Sequence, residues 1–484
     1  MGLDQRMYTS PYDVAWMARV LEPESGKPRW PELVTWLLEN QHEDGSWGSN
    51  VPYYHDRIIC TLAALITLQD KCYASLNGTA VGAISRGEHY LWSHLHLLQN
   101  DPFELVGFEL VFPTLLAEAK RLNLSVPNHT CGYGEKQSRK LRLIPPDMLY
   151  SPQVSAVHSL EFLGDGADTS RLARSISYGS LGNSPSATAY YTGYFPEDDS
   201  ALSYLTAVRE RNVPYLYPCE IFELTWALNN LSYSNVPITQ FASKATFDYL
   251  YKELGETGIG LDRTFGISDG DITSVTHKLL LLAGYDLGTD IMRHFQREDG
   301  VFRTYFFERN PSVGTNVHAL EALHLLPDYP NGSQVRIDII TMLLDQRKYN
   351  IYWYDKWHIS PYYATAHVLP ALLNEQEAGL VHECQYSIDW ILNTQWNNGG
   401  WGWYQQVTLE ETAYALIALL HFHRVHPLPL ADVLKIRRGV EYIREHYDVL
   451  NSTFPELWIG KCLYTPHDVV HTVVLSALIL YEET

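Results

Sequence analysis

A short pattern that occurs near both ends of this 484-residue chain constrains its fold more than any other feature. The first copy, QHEDGSWG, begins at Gln41, the second, QWNNGGWG, begins at Gln395, and a degenerate copy, QREDGVF, begins at Gln296. Each copy follows a segment with helical periodicity, so the repeated unit is a helix, a glycine-rich turn and another helix. Such units stack, and we predict an all-α fold whose helix pairs close into a toroid. We assign the Gln and Trp a structural role, in which Gln bonds to the backbone of the next helix.

The segment that follows residue 270 shows the helical spacing well. Ile272, Val275, Leu279 and Leu282 are three or four residues apart, and Gly284 is placed to end the helix. Alternation typical of strands is rare. The periodicity therefore agrees with an all-α chain.

The charge balance excludes several classes of function. The formal net charge is −21, which disfavours nucleic acid and anionic membranes as partners. With 46% hydrophobic residues the chain can build a large core, and it contains no apolar run of about 18 residues that would predict a membrane span. The six Cys are scattered without a CxxC pair, which argues against a zinc knuckle or a disulfide framework. The first residues do not resemble a signal peptide, so a cytoplasmic location is expected.

Several further segments occur in the order found in one enzyme family. The repeats resemble the QW motifs of terpene cyclases, and five segments are similar to motifs of class II diterpene cyclases: SPYDVAW at 10–16, GFELVFP at 107–113, KLRLIP at 140–145 with VHSLE at 157–161, SPSATA at 184–189 and LWIGKCLY at 457–464. The resemblance implies two α-barrels, called β and γ. It assigns 1–28 and 200–484 to the β barrel and 29–199 to an inserted γ barrel, with the active site between them.

The sequence DGDIT contains the candidate acid. Protonation of an isolated alkene requires a neutral carboxylic acid in a dry pocket. Asp269 and Asp271 resemble the DxDD motif of the family, and the resemblance makes Asp271 the proton donor. Ile272 replaces the last Asp of that motif, which favours a neutral Asp271 but leaves the route of proton resupply open. The alternative is a helix N-cap followed by a turn residue.

Three further residues match family positions near the reacting carbons. His318 matches the residue that hydrogen bonds to the donor Asp, and His158 matches the base that ends the reaction, with Tyr215 as its partner. A satisfied core histidine remains the alternative for His318, and a packing aromatic remains the alternative for Tyr215.

The resemblance also implies a diphosphate anchor and a magnesium site. Lys140, Lys356 and Arg57 match diphosphate-binding positions. Asp101 and Glu104 form a degenerate version of the acidic motif that binds Mg²⁺, for which a solvated loop is the alternative. A class I ionisation motif is missing, since the nearest candidate begins at Asp198 and lacks its third acid.

These features together predict a class II cyclase. The expected reaction is protonation-initiated cyclisation of geranylgeranyl diphosphate to a bicyclic labdane- or halimadane-type diphosphate, with the diphosphate retained. The alternatives are a drimane-type cyclase of farnesyl diphosphate, a squalene-hopene-type cyclase and a non-catalytic helical toroid that binds a protein or lipid. The sequence leaves the oligomeric state open, a homodimer included.

Overall fold

The chain folds into two rings of helices. The computed structural model describes residues 7–69, 79–306, 308, 311–375 and 378–484, and Cys72 lies outside them. The first ring uses the helices α1 (Pro11–Ala18), α2 (Glu32–Glu39), α3 (Tyr54–Leu68), α4 (Thr79–His94), α5 (Phe108–Arg121), α6 (Tyr133–Leu143), α7 (Pro146–Leu149), α8 (Thr169–Leu172), α9 (Pro185–Thr192) and α10 (Asp199–Glu210), with the 3₁₀ segments Leu95–Asn100 and Ser155–Gly166. The helices α1, α3 and α5, the segment Ser155–Gly166 and α9 pack in that order and close on α1.

The second ring has inner and outer helices in alternation. It consists of α11 (Glu220–Ser232), Ile238–Gln240, α12 (Lys244–Glu253), α13 (Gly270–Leu282), α14 (Asp290–Phe295), α15 (Val313–His324), α16 (Gly332–Gln346), α17 (Pro361–Asn374), α18 (Ala378–Asn393), α19 (Leu409–Val425), α20 (Leu430–His446) and α21 (His467–Glu482). The odd-numbered helices pack side by side, and α21 closes the ring on α11. The even-numbered helices lie outside them. This arrangement confirms the all-α toroid predicted from the repeats.

Side-chain caps fix where many of the inner helices begin. Ser184 accepts the backbone N–H of Ala187 at the start of α9, and Thr408 accepts that of Glu411 at the start of α19. A proline in the first turn follows the cap of α1, α9 and α17, where its missing N–H costs nothing. The N-terminal ends of these inner helices are therefore encoded locally.

The Gln…Trp repeats have the same geometry in both rings. The Gln41 amide donates to the carbonyls of Gly45 and Ala83, and the Gln395 amide donates to those of Gly399 and Lys435. Each Gln thus links its own turn to an outer helix, α4 or α20, which is the second helix after the turn and not the next one as predicted. The indole N–H of the repeat Trp donates to a carbonyl ten residues upstream in both copies.

A third full copy of this geometry escaped the sequence analysis. Trp353 is fully buried, its backbone N–H donates to the Thr365 hydroxyl at 3.1 Å and its indole N–H donates to the Leu343 carbonyl. The turn before Trp353 lacks the glycine of the other copies. The spacing between the preceding helix and Trp353 was therefore the one feature of the sequence that could have revealed this copy.

The first helix lies in the first ring, which differs from the predicted division. We assigned 1–28 to the second barrel, yet α1 packs against α3 and α9, and all eight of its residues are buried there. The predicted boundary at residue 199 falls at the first residue of α10, which packs against α9. Because sequence position does not show what a buried helix packs against, the resemblance misplaced α1; the two rings meet between α10 and α11.

A short hairpin joins the rings. The strands β1 (Trp458–Ile459) and β2 (Leu463–Tyr464) pair antiparallel, with Trp458 opposite Tyr464. The carbonyl of Gly460 in the turn accepts the backbone N–H of Val106 at 2.9 Å, and Lys461 enters the first ring. The hairpin therefore belongs to the second ring by sequence and contacts both.

A buried charge cluster holds this junction. The Lys461 ammonium donates at 2.6 Å to Glu161, Ser184 and Ser186, and neither charged side chain is exposed to solvent. Asp13 joins the cluster by accepting the backbone N–H of Ser186. These residues come from four of the segments that resemble family motifs, so those segments meet at one point of the fold.

Candidate active site

A cavity lies where the two rings meet. Its wall is largely aromatic and aliphatic, with two aspartates and one histidine among the polar side chains. The lining residues of the first ring and the segment after it are Val106, Ser155, His158, Tyr215 and Leu216, and those of the second ring are Phe222, Trp226, Leu261, Phe265, Asp269, Asp271, Ile272, Thr304, Tyr305, Trp357, Tyr363, Trp458, Ile459, Gly460 and Tyr464. Such a wall suits an isoprenoid chain and excludes water from charged intermediates.

Asp271 meets His318 at one end of the cavity. Asp271 lies in the first turn of α13, His318 lies on the neighbouring α15, and His318 Nδ1 is 2.6 Å from Asp271 Oδ1. Both side chains are buried, and His318 Nε2 has no partner in the described part of the chain. The structure thus brings together the acid and the hydrogen-bonding histidine that the sequence predicted.

Asp269 is the N-cap of α13 and lies two residues before the candidate acid, Asp271. Its Oδ1 accepts the backbone N–H of Ile272 at 2.7 Å, and its Oδ2 accepts the Tyr305 hydroxyl at 3.0 Å. Burial, and then the charge of Asp271, raise the pKa of Asp269 to about 8, so the buried pair retains at least one proton at neutral pH. The N-cap alternative is therefore correct for Asp269.

The two aspartates differ in their hydrogen bonds. Asp269 uses both oxygens as acceptors, which lowers its pKa but does not cancel the larger effect of burial. Among the described residues, the carboxyl of Asp271 is hydrogen bonded by His318 alone, and it lines the cavity beside Ile272. The geometry accordingly leaves Asp271 an oxygen that can hold a proton facing the cavity.

His158 and Tyr215 line the same cavity. His158 Nδ1 donates to the Gly182 carbonyl at 2.7 Å. The imidazole ring of His158 and the phenol ring of Tyr215 are perpendicular, with their centroids 6.2 Å apart. Burial, with a smaller contribution from the charge of Lys461, lowers the pKa of His158 to about 3, so its ring is neutral and its Nε2 is a free base. Gly460 permits this arrangement, because a Cβ there would lie 2.4 Å from the Tyr215 ring.

A continuous series of ring contacts connects the acid to the base. It begins at His318 and ends at His158, and no step between ring centroids exceeds 6.2 Å. The steps are His318–Trp226 at 5.6 Å, Trp226–Phe222 at 5.1 Å, Phe222–Trp458 at 5.9 Å, Trp458–Tyr464 at 6.2 Å, Tyr464–Tyr215 at 4.4 Å and Tyr215–His158 at 6.2 Å. Aromatic rings therefore line the cavity between Asp271 and His158.

The predicted lysines lie in ion pairs outside the lining of the cavity. Lys140 on α6 bonds to Glu109 at 2.6 Å and is partly exposed. Lys356 bonds to Glu308 at 2.6 Å, and its ammonium is 5.1 Å from the ring centroid of Trp357, which does line the cavity.

Sequence reasoning missed a lysine one helical turn before Lys140. Lys136 pairs with Glu104 and lies on the same face of α6. The two pairs flank Val106, which lines the cavity and lies between Glu104 and Glu109 in the chain. The spacing of four residues between the lysines was the available signal.

Arg57 is misplaced in the sequence-based site. Its guanidinium is buried and donates to the Ser49 carbonyl at 2.7 Å, to the Ser46 hydroxyl at 2.6 Å and to Asn50 and Asp44. These bonds hold the turn of the first repeat, away from the cavity lining. Adjacency to Asp56 in the sequence did not reveal these partners.

Asp101 does not fit as a metal ligand. Its carboxyl is buried and accepts both the backbone N–H and Nδ1 of His55, at 2.8 and 2.7 Å. Glu104 is half-buried and pairs with Lys136. No cluster of three or more His, Cys, Asp or Glu side chains able to hold an ion occurs in the described ranges, so these residues offer at most a site completed by a ligand.

Comparison with known proteins agrees with this geometry. Residues 308–452 match the squalene-hopene cyclase C-terminal domain family. A type B diterpene cyclase of Mycobacterium tuberculosis is 33% identical over the whole of this chain and 97% of its own length. The chain belongs to the class II diterpene cyclases. It is therefore an enzyme, and the expected fold and family are confirmed.

Solved structures of class II diterpene cyclases share its architecture. The ent-copalyl diphosphate synthase from Streptomyces platensis aligns with a TM-score of 0.78 at 28% identity, covering 98% of this chain and 95% of that one. The Arabidopsis thaliana ent-copalyl diphosphate synthase, in complex with (S)-15-aza-14,15-dihydrogeranylgeranyl thiolodiphosphate, aligns with a TM-score of 0.71 at 25% identity, covering 98% and 60%.

Plant relatives are longer than this cyclase. Ent-copalyl diphosphate synthase 4 of Isodon rubescens is 32% identical over 70% of this chain but only 42% of its own length. The cyclase thus spans about two-fifths of such relatives. Within the described ranges, no helix is both long and apolar enough to cross a membrane.

Proposed function

We propose that this class II cyclase protonates geranylgeranyl diphosphate at its terminal alkene and forms a bicyclic labdane- or halimadane-type diphosphate. The observation that carries the proposal is the Asp271–His318 pair in the wall of a largely apolar, aromatic cavity that a neutral histidine also lines. The names of the relatives, type B diterpene cyclase and ent-copalyl diphosphate synthase, support a C20 diphosphate as substrate.

Initiation follows from the hydrogen bonds of the acid. With His318 Nδ1–H donating to Oδ1, the proton of Asp271 resides on Oδ2 and faces the alkene. As the proton moves to carbon, the His318 bond stabilises the new carboxylate, which strengthens the acid. Ile272 supplies an apolar neighbour in the cavity wall next to Asp271.

Termination is assigned to His158. Its Nδ1 is committed to the Gly182 carbonyl, so Nε2 takes the proton from the final cation or orients a water that adds to it. Tyr215 fixes one side of the imidazole ring by perpendicular contact.

The diphosphate is retained and serves as an anchor. Asp198, the nearest candidate for a class I ionisation motif, is the N-cap of α10 and bonds to backbone N–H groups there. We assign the anchor to Lys140 and Lys136 beside Val106, with Lys356 at the neighbouring Trp357. A diphosphate that approaches this edge replaces the carboxylate partners of the lysines.

Magnesium fits only as an ion that arrives with the substrate. Glu104 and Glu109, once released from their lysines, offer two carboxylates, and Mg²⁺ commonly uses one or two of these with phosphate oxygens and water. The ion would supply charge that holds the diphosphate, and no cyclisation step passes through it.

Incubation of the purified protein with geranylgeranyl diphosphate and Mg²⁺, followed by phosphatase treatment and mass spectrometry, tests the proposal. A bicyclic C20 alcohol is expected, and it should be absent with Asp271→Asn. Turnover of farnesyl diphosphate or squalene alone would replace the substrate assignment, and binding without turnover of any of the three would support the non-catalytic alternative.

A further inference from the structure

A buried carboxylate lies behind the aromatic wall. The indole N–H of Trp458, a lining residue, donates to Glu410 Oε1 at 2.9 Å. Glu410 is completely buried in the first turn of α19, so it has no direct access to solvent. The reaction as described above does not use it.

The neighbouring His358 does not neutralise the negative charge of Glu410. His358 Nε2 is 3.2 Å from the same Oε1, while His358 Nδ1 accepts the backbone N–H of Ser360 at 3.0 Å. An accepting Nδ1 fixes the neutral tautomer with the proton on Nε2, so His358 donates a hydrogen bond without adding a positive charge.

Two N–H donors on one oxygen stabilise the ionised carboxylate. No lysine or arginine forms an ion pair with Glu410 in the ranges the structure describes, and its Oε2 has no hydrogen-bond partner there. An uncompensated negative charge in a low-dielectric interior is costly unless positive charge appears nearby.

The position of Trp458 shows where that positive charge appears. Trp458 is the middle ring of the series that leads from His318 to His158, between Phe222 and Tyr464. Under the proposed reaction, a cation generated next to Asp271 and quenched at His158 lies in the cavity that this ring lines. An indole whose N–H is bonded to a carboxylate has a more electron-rich ring, and the carboxylate adds its own attraction.

We propose that Glu410 acts through Trp458 as a fixed negative charge that stabilises the carbocation in the middle of the cavity. Glu410 does not touch the substrate. It is a positioning residue, because it acts on the cation through Trp458 and not by direct contact. The proposal rests on the proposed cyclisation. It predicts that removal of the charge weakens binding of a cation while leaving binding of a neutral chain unchanged.

The decisive experiment compares two ligands on the intact protein. One is a prenyl diphosphate analogue with a tertiary ammonium nitrogen in place of the cationic ring carbon, and the other is its neutral carbon isostere. Glu410→Gln should lower the affinity for the ammonium analogue about tenfold by calorimetry and change that for the isostere less than about twofold. Glu410→Asp should restore part of the preference.

Turnover gives a second, independent measurement. Glu410→Gln should lower kcat about tenfold or more with KM nearly unchanged and should release products in which cyclisation stops early. Trp458→Phe removes the N–H donor, so Glu410→Gln should have a much smaller effect in that background.

The matched control is Glu411→Gln. Glu411 is equally buried, but it bonds to the Ser360 and Thr408 hydroxyls and to a backbone N–H instead of an indole. Its substitution should leave the preference for the ammonium analogue unchanged. Equal losses of affinity for both ligands in Glu410→Gln, with a lower melting temperature, would show a structural role and overturn the proposal. Because binding requires no turnover, a wild-type protein that binds both ligands but never cyclises would refute the proposed function separately.

Discussion

Replacing Lys461 with methionine should destabilise the junction between the two rings. The substitution leaves Glu161 buried without its counter-ion and removes three bonds of 2.6 Å. Breaking a fully buried ion pair by removing one partner typically costs about 3–5 kcal/mol. Asp13 also loses the nearby charge that opposes the effect of burial on its pKa, which is raised to about 6.

The size of this loss is measurable by thermal unfolding. For a ring of roughly 200 residues, a loss of about 3 kcal/mol lowers the melting temperature by about 6–12 °C. The double variant Lys461→Met with Glu161→Gln removes both charges and should recover at least half of the shift, because no unpaired charge remains.

An exposed ion pair provides the control. Lys244 bonds to Asp248 on the surface, and Lys244→Met should leave the melting temperature unchanged within error. If Lys461→Met were as stable as this control, or if the double variant were less stable than the single one, the reasoning from buried charge would be refuted.

Three predictions concern the reaction itself. Activity should fall as pH rises through about 8. The raised pKa of Asp269 means that the Asp269–Asp271 pair keeps its proton below that pH and loses it above. A kcat profile that is flat up to about pH 10 would contradict this prediction. His158→Ala should still consume substrate but yield new products, hydroxylated ones included, because the vacated space beside Tyr215 admits water; an unchanged product profile with lower stability would show a structural histidine. Lys140→Ala should weaken substrate binding by about 1 kcal/mol with the product unchanged, because the ammonium is partly exposed, whereas the surface variant Lys244→Ala should bind normally. Equal affinities would place the diphosphate elsewhere.

The sequence predicted those parts of the fold that depend on local pattern. The Gln41 and Gln395 repeats could be found because Gln, Gly and Trp are needed together for one turn geometry. Trp353 has the same contacts without the glycine, so a composition-based pattern overlooked it. Helix α1 was misplaced because its residues are buried on every side, which leaves no polar face to indicate its neighbours.

The sequence predicted those parts of the candidate site whose residues could be matched to a family motif. Asp271 and His318 come from different helices, and only the resemblance to a family connected them before the structure did. Arg57 failed because a helix of buried residues gives no sign of which side chains turn toward a cavity. The sequence could not identify Glu410 as a functional candidate, because its proposed role depends on a contact with Trp458 that only the fold creates.

Solvent deuterium incorporation tests the central claim, that Asp271 protonates the substrate, most directly. In D₂O the wild-type enzyme should transfer a single deuteron to the terminal alkene carbon of geranylgeranyl diphosphate, which mass spectrometry detects as one added mass unit in the bicyclic product. Asp271→Asn should keep the wild-type melting temperature and lose activity by about 10²-fold or more. Bicyclic product without deuterium, or an Asp271→Asn variant that retains more than about a tenth of the activity, would contradict the account.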